Sequence, residues 1–189
     1  MVKRIDVTNS RAISEACGVL EKGGVIVYPT DTLYGFGCDA KNESAIQKIN
    51  VMKGRVSPMS VLASSKEVAL GWLTISSDID KVKEKLGGAT TVIAPVKENI
   101  ASKVIMGKNH TLGIRIPNHD FCSELSHQYP NPITTTSVNR SGQPSMTNLE
   151  SIHEEFAHEI DLMIDAGNIH GTGSTIYLYD KGQLKVLRP

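Results

Sequence analysis

Two kinds of hydrophobic periodicity alternate along this chain of 189 residues. Helical spacing recurs near residues 43–52, 78–86, 120–128 and 149–156, after a first helix whose Ala12, Ile13, Ala16, Val19 and Leu20 share one face. Short apolar runs typical of strands lie near residues 25–28, 59–63, 91–95, 112–116, 133–136, 162–165, 175–179 and 184–187. The alternation predicts an α/β fold. Because the last strands follow one another without helices, some pairs should be antiparallel and the sheet should be mixed.

The first helix and the strand after it have clear boundaries in the sequence. Ser10 can cap the helix, and Gly23 and Gly24 end it. The apolar run that begins at Val25 is typical of a buried strand, and Pro29 ends it because proline has no N–H to donate. No linker or repeat divides the chain, so we expect one domain over residues 1–189.

Charge and composition limit the possible partners. The 20 basic and 20 acidic residues cancel, which does not favour nucleic acid over other partners. The first residues lack an apolar targeting core, and no run approaches the roughly 20 apolar residues of a membrane span. We therefore expect a soluble, cytoplasmic protein with no membrane partner. Cys17, Cys38 and Cys122 form no paired-cysteine motif and are expected to be packed thiols.

The stretch NPITTTSVNRSGQPS, residues 131–145, is the most informative about function. A short apolar run gives way to hydroxyls, an amide, an arginine and a glycine, a composition too rich in hydroxyls for a buried strand. Asn139, Ser141 and Gly142 tolerate tight turns while they present donors and acceptors. The pattern favours a loop that binds a polar ligand such as phosphate, although an ordinary polar turn after a strand has the same composition.

Polar residues also follow the strand that ends at Pro29, where we expect the chain to leave the sheet. They are Thr30, Asp31, Thr32, Tyr34 and Gly35. Open α/β folds usually bind their ligands at such points.

Two basic segments indicate an anionic ligand. Lys53 and Arg55 flank a glycine at the end of a predicted helix, and anions are their natural partners. In TLGIRIP, residues 111–117, Thr111, Gly113 and Arg115 share one face of a strand. Arg115 can therefore meet a carboxylate or a phosphate.

The sequence predicts neither a metal site nor a nucleophile. His153 and His158 of HEEFAH are five positions apart rather than four, about 140° around a helix, which does not suit a zinc-protease motif. GTGST, residues 171–175, lacks the lysine and spacing of a Walker motif. No nucleophile elbow is present in the local sequence.

Five motifs stand in one order along nearly the whole chain. They are YPTDTLYG, KGR, GIRIP, TSVN followed by SG, and the closing GST and LRP. With these motifs the chain resembles the YrdC family, also called TsaC, whose members make threonylcarbamoyl-AMP. The resemblance implies a strongly twisted mixed parallel and antiparallel sheet, flanked by helices, that encloses a concave site.

The chain departs from the family pattern at three places. TSVN stands where the family usually has TSAN, which preserves the polar positions. The segment VSP after Arg55 is shorter than the family's connection, so one nucleotide contact of the family is not carried over. A proline-glycine-proline turn is replaced by GGA, residues 87–89, which predicts a more flexible turn.

The resemblance implies a nucleotidyltransferase, an L-threonylcarbamoyladenylate synthase. Such an enzyme condenses L-threonine, bicarbonate or carbon dioxide, and ATP to threonylcarbamoyl-AMP and pyrophosphate, for threonylcarbamoyladenosine modification of tRNA. The amine of threonine captures carbon dioxide, and the carbamate oxygen attacks the α-phosphorus. This displacement needs alignment and charge neutralisation more than a nucleophile, so Arg55 and Arg115 would act by positioning. Downstream threonylcarbamoyl-transferase machinery would use the product.

The same resemblance assigns the binding residues. Threonine would be bound by Thr32, Arg115, Ser137 and Ser174, and ATP by Lys53, Arg55, Thr111, Asn139, Thr147 and Arg188. Mg²⁺ would arrive with the triphosphate and keep most of its waters, so no protein ligand is assigned.

Each role has a simpler alternative. Arg115 could be a structural ion-pair partner, and Lys53 could interact with the helix dipole. Thr32 could satisfy a turn, and Ser174 could be a strand residue without a ligand. Arg188 is penultimate, where chains are commonly disordered.

Two other functions compete with the synthase. A double-stranded RNA or tRNA-binding module could use a concave surface, but such modules are normally basic. The related carbamoyl-transfer domain of hydrogenase maturation proteins comes with an acylphosphatase-like region and paired-cysteine zinc motifs, and this sequence has neither.

Overall fold

Strands and helices alternate in the computed structural model, which describes residues 2–56, 58–75 and 78–189. The strands are β1 (Lys3–Asp6), β2 (Ile26–Pro29), β3 (Tyr34–Gly37), β4 (Ser60–Leu62), β5 (Thr90–Pro95), β6 (Thr111–Arg115), β7 (Ile133–Ser137), β8 (Leu162–Asp165), β9 (Thr175–Asp180) and β10 (Gln183–Arg188). The α-helices are α1 (Ala12–Glu21), α2 (Glu43–Lys53), α3 (Lys66–Trp72), α4 (Ile79–Lys85), α5 (Asp120–Gln128) and α6 (Leu149–Phe156).

The strands form one mixed sheet in the order β1-β8-β2-β3-β7-β4-β6-β5-β9-β10. The pairs β1/β8, β2/β8, β4/β6 and β5/β9 are parallel. The pairs β2/β3, β3/β7, β4/β7, β5/β6 and β9/β10 are antiparallel. The predicted α/β fold with a mixed sheet is therefore confirmed.

Strand β7 joins the two halves of this sheet. Its end at Thr136 and Ser137 pairs with β3, and its beginning at Ile133, Thr134 and Thr135 pairs with β4. The expectation that this stretch is too rich in hydroxyls for a buried strand is wrong. Thr134 is fully buried, and its hydroxyl accepts a hydrogen bond from the Cys38 N–H at 2.9 Å, which satisfies the polar group inside the protein.

Helices cover both faces of the sheet. The apolar sides of α1 and α5 pack on one face with Ile26 and Tyr28, whereas α2 and α6 pack on the other with Val27. Successive side chains of β2 therefore enter opposite layers of the core, which explains why its sequence is continuously apolar.

Three elements were not predicted: β1, β3 and α3. The expectation that the chain leaves the sheet after Pro29 is wrong. The chain turns back there and forms β3, which is antiparallel to β2. Two glycines in β3 weaken its strand signal. Gly37 is required there, because a Cβ atom would lie 2.6 Å from the Tyr28 ring.

The predicted cap of α1 at Ser10 is also wrong. The helix begins after Arg11, which makes no side-chain cap. Asn9 organises this turn instead, since its side chain accepts a hydrogen bond from the Arg11 N–H at 2.9 Å and its carbonyl accepts one from the Ala12 N–H at 2.8 Å.

Phe156 provides a test of the core on the α2/α6 face. Its ring is fully buried and meets Phe36 edge to face, with 5.1 Å between the centroids. Phe156→Ala should lower the free energy of unfolding in urea by ~3–5 kcal/mol, because it leaves a cavity. Val51→Ala, at a side chain on α2 that is 63% exposed, should change it by less than ~0.5 kcal/mol. Similar values for the two variants would contradict this description of the core.

Candidate functional site

A polar cavity of about 470 Å³ lies where the β2–β3 turn, the ends of β6 and β7, and the segment before β9 meet. Hydroxyl groups and arginines dominate its wall. They belong to Thr30, Thr32, Ser60, Thr91, Thr135, Thr136, Ser137, Ser145, Thr172 and Ser174, and to Arg55, Arg115 and Arg188.

A second cavity of about 480 Å³ adjoins the first, and we call it the apolar cavity. The two cavities share the wall residues Pro58, Met59, Ser60, Thr91 and Ile176. Ile93, Pro95 and Leu178 continue the wall of the apolar cavity, with Thr111 beside them. The two cavities thus form a cleft with one polar and one apolar compartment.

The structure brings most of the predicted site residues to this cleft. Thr32, Arg115, Ser137 and Ser174, the four residues expected to bind threonine, all line the polar cavity, together with Arg55 and Arg188. Thr111 lines the apolar cavity. Lys53, Asn139 and Thr147 line neither cavity. Their contacts with ATP stay predictions.

The β2–β3 turn is held by Thr30 rather than by Thr32. The Thr30 hydroxyl accepts hydrogen bonds from the N–H groups of Thr32 and Leu33, each at 3.2 Å, and donates to the Leu33 carbonyl at 2.7 Å. The Thr32 hydroxyl forms a hydrogen bond with the Thr30 hydroxyl at 3.0 Å, and it also accepts from the Arg115 guanidinium at 3.2 Å. Gly171 crosses this turn so closely that a Cβ atom there would lie 1.9 Å from the Thr32 carbonyl oxygen.

Arg115 combines the two roles that the sequence left open. Its Nη2 forms an ion pair with the Asp31 carboxylate at 2.8 Å, and the two side chains are 9% and 11% exposed. The same guanidinium lines the polar cavity. Its Nε is buried and has no hydrogen-bond partner within the described residues. A buried donor without an acceptor is costly.

Lys53 acts on the loop after β7. It is only 2% exposed, and its ammonium donates to the carbonyls of Ser137 at 2.6 Å and Asn139 at 3.2 Å, and to the Asn139 side-chain oxygen at 2.8 Å. Burial, aided by the positive charge of Arg55, lowers the pKa of Lys53 to about 8. These contacts show more than an interaction with the helix dipole, and contact with ATP stays a prediction.

Further hydrogen bonds fix the same loop. The Ser137 hydroxyl donates to the Asn139 side-chain oxygen at 2.8 Å, and the Asn139 amide donates to the Gln143 carbonyl at 2.6 Å. Arg140 ties the loop to α6 through Glu155, to the segment after α6 through Glu159, and to α2 through the Met52 carbonyl. The loop therefore holds Ser137 in place without a ligand.

Ser174 contacts both Thr91 and Arg188 in the wall of the polar cavity. Its hydroxyl shares a hydrogen bond of 2.7 Å with the buried Thr91 hydroxyl, and its carbonyl accepts from Arg188 Nη2 at 2.7 Å and Nε at 3.1 Å. The disorder considered for Arg188 is not what the structure shows, because Arg188 belongs to β10 and pairs with Ile176. Gly173 permits this contact, since a Cβ atom would lie 2.9 Å from the guanidinium.

Sequence reasoning missed Ser145 and Thr91 as cavity residues. Ser145 closes the informative stretch at residues 131–145, and it lines the polar cavity in place of Thr147. The Thr147 carbonyl instead accepts a hydrogen bond from the Ile169 N–H at 2.9 Å. Thr91 lies just after the GGA turn and gives no local signal, because its role depends on the distant Ser174.

Buried thiols do not supply a nucleophile. Burial raises the pKa of Cys38 to about 12 and raises the pKa of Cys122 further, so both are neutral near pH 7. Within the described residues, no group of three or more His, Cys, Asp and Glu side chains is arranged to hold a metal ion. None of the helices in this part of the chain combines the length and the hydropathy that crossing a bilayer requires.

The comparison with known proteins agrees with this fold. The Sua5/YciO/YrdC family model, described as telomere recombination, matches residues 18–189. The chain belongs to this family. The L-threonine complex of Sua5 from Pyrococcus abyssi superposes with a TM-score of 0.88 at 28% identity, covering 100% of this chain and 57% of that one.

Several curated relatives are named threonylcarbamoyl-AMP synthase. The threonylcarbamoyl-AMP synthase of Pyrococcus abyssi is 30% identical over 179 residues, which are 92% of this chain and 52% of the relative. The synthase of Photobacterium profundum is 26% identical over 182 residues, which are 93% of this chain and 97% of the relative. The chain spans about half the length of some of these relatives, 52% of the Pyrococcus protein and 47% of the Bacillus subtilis one.

The lowered pKa of Lys53 has a consequence for stability. Between pH of about 8 and 10.5, the folded protein binds fewer protons than the unfolded chain, whose lysine keeps the ordinary value of 10.5. The contribution of Lys53 to stability is therefore least favourable below pH 8 and improves as the pH rises through this window. The difference in free energy of unfolding, wild type minus Lys53→Met, should increase by up to ~1.4 kcal/mol per pH unit in urea titrations. A difference that does not change with pH would contradict the lowered pKa.

Proposed function

We propose that the cleft is the active site of an L-threonylcarbamoyladenylate synthase, which condenses L-threonine, bicarbonate or carbon dioxide, and ATP. The observation that carries the proposal is the shared wall of the polar cavity. A buried arginine with an unpartnered donor, Arg115, lines the same space as Arg55 and Arg188. One cavity thus offers sites for a carboxylate and for phosphates.

The threonine end lies at Arg115. A guanidinium suits a carboxylate, and the hydroxyls of Thr32, Ser137 and Ser174 can read the amine and hydroxyl of the amino acid. The names of the relatives and the L-threonine complex of Pyrococcus Sua5 support this choice of ligand.

The nucleotide end lies at Arg55 and Arg188. Their guanidiniums suit the triphosphate, whereas the adenine ring needs an apolar surface. The apolar cavity provides that surface next to Thr111 and opens directly from the polar cavity through Ser60 and Thr91. ATP would therefore extend across both compartments, with its α-phosphate near their common wall.

The chemistry follows from this placement. The threonine amine captures carbon dioxide, and the resulting carbamate oxygen displaces pyrophosphate at the α-phosphorus. Arg55 and Arg115 contribute by alignment and by neutralising charge, and no side chain acts as a nucleophile. No Asp or Glu side chain belongs to the wall of the polar cavity in the part of the chain that the structure describes. Mg²⁺ would therefore enter as part of the MgATP substrate, held by phosphates and water.

The product would serve the threonylcarbamoyl-transferase machinery that modifies tRNA in the cytoplasm. Direct RNA binding is the weaker proposal. The chain has equal numbers of basic and acidic residues, and its arginine-bearing cavity is too small for an RNA helix.

Pyrophosphate release from MgATP should require both L-threonine and bicarbonate, because the carbamate that they form is the attacking group. The measurement is a coupled pyrophosphate assay, with ¹⁴C-bicarbonate to follow carbon into the nucleotide product. Omission of either co-substrate should reduce release to background. Equal release without threonine or without bicarbonate would contradict the synthase.

A further inference from the structure

Asp31 has no part in the proposed reaction, yet its carboxylate joins two segments that frame the polar cavity. Its Oδ1 accepts a hydrogen bond from Arg115 Nη2 at 2.8 Å. Its Oδ2 accepts one from the Asn118 main-chain N–H at 2.9 Å. The β2–β3 turn is thereby tied both to the end of β6 and to the turn that follows it.

The pair is placed so that only the arginine faces the cavity. Both side chains are nearly buried, at 9% and 11% exposure, but Arg115 lines the polar cavity and Asp31 does not. Each Asp31 oxygen already accepts a hydrogen bond. Its negative charge is therefore compensated locally and repels an entering carboxylate only weakly.

Asp31 holds the guanidinium at one nitrogen. Arg115 Nη2 donates to Asp31 and to Thr32, whereas Nε has no partner within the described residues. The N–H groups that remain for a ligand can meet a carboxylate only if the plane of the guanidinium is fixed. The contacts at Nη2 fix that plane.

We propose that Asp31 is a positioning residue, which orients the Arg115 guanidinium so that its remaining N–H groups meet the carboxylate of the amino-acid substrate. This inference rests on the proposed function and deepens it. Without the Asp31 carboxylate, Arg115 keeps its charge but loses the contact that fixes its plane.

A positioning role and a simple charge-balancing role for Asp31 predict opposite changes in threonine affinity when its charge is removed. If Asp31 only neutralised Arg115, removal of its negative charge would make the guanidinium more attractive and would tighten threonine binding. If Asp31 orients Arg115, the same change weakens threonine binding because the remaining N–H groups are no longer held toward the carboxylate. The sign of the change therefore separates the two roles.

The test is titration calorimetry of the whole chain with L-threonine and with L-threonine amide, which lacks the carboxylate. Asp31→Asn should weaken L-threonine binding roughly tenfold, about 1.4 kcal/mol. Asp31→Asn should weaken binding of the amide less than about twofold, because the amide has no carboxylate to bond to the oriented guanidinium. Asp31→Glu keeps a carboxylate and should restore most of the affinity for L-threonine.

Asp39→Asn is the matched control. Asp39 is also buried, 8% exposed, and accepts hydrogen bonds from Tyr129 and Asn131, each at 2.8 Å, but it lines neither cavity. This variant should bind L-threonine as the wild type does. Should Asp31→Asn fail to fold, Asp31→Ser takes its place, since it removes the carboxylate without adding amide hydrogens beside the Asn118 N–H.

The remaining outcomes overturn the inference. Threonine binding that is unchanged or tighter in Asp31→Asn excludes positioning, as does an equal loss for the amide or an equal loss in Asp39→Asn. A wild type that does not bind L-threonine would overturn the proposed function itself. If the wild type and Asp31→Asn bind L-threonine equally well, this inference alone is overturned and the proposed function stands.

Discussion

The cleft depends on one structural constraint, the double pairing of β7. One end of this strand pairs with β3 and the other with β4, so the two halves of the sheet meet along five residues. The polar cavity lies at the Ser137 end of that strand. Thr32 reaches it from the β3 half, and Ser60, Thr91 and Arg115 reach it from the β4 half. A change that shifted the register of β7 would therefore separate the residues of both proposed substrate sites.

The chain as a whole is neutral, but arginines are concentrated at the cleft. Charges cancel over the whole sequence, yet three arginines and no Asp or Glu side chain line the polar cavity within the described residues. Asp31 compensates Arg115 from outside the wall, and the Ser174 carbonyl accepts from Arg188. Arg115 and Arg188 are thus partly satisfied within the protein, which lowers the energetic cost of holding their charges close together.

Local patterns were sufficient for much of the fold. The helices α5 and α6 have the predicted bounds, because amphipathic spacing and flanking polar residues mark both ends. Strand β8 also begins and ends as predicted. Strand β3 has no such signal in the sequence, because two of its four residues are glycines. Gly37 is needed for its contact with the Tyr28 ring, which lies on the neighbouring strand.

The candidate site was likewise predictable only in part. Motif resemblance placed Thr32, Arg115, Ser137, Ser174, Arg55 and Arg188 in segments that the fold brings to one cavity. The buried position of Lys53 was not predictable, because its partners lie 84 and 86 residues away in sequence. The Asp31 contact also joins residues 84 positions apart. Such long-range contacts have no signature in the sequence around either partner.

The central claim is that a single cavity binds a carboxylate at Arg115 and phosphates at Arg55. Titration calorimetry of Arg115→Lys and Arg55→Ala with L-threonine and with MgATP tests it most directly. Lysine keeps a positive charge beside Asp31 but lacks the planar fork of arginine. Arg115→Lys should weaken L-threonine binding by roughly tenfold and MgATP binding by less than about threefold, and Arg55→Ala should show the reverse. Equal losses of both ligands in both variants, or an exchange of the two effects, would contradict the account.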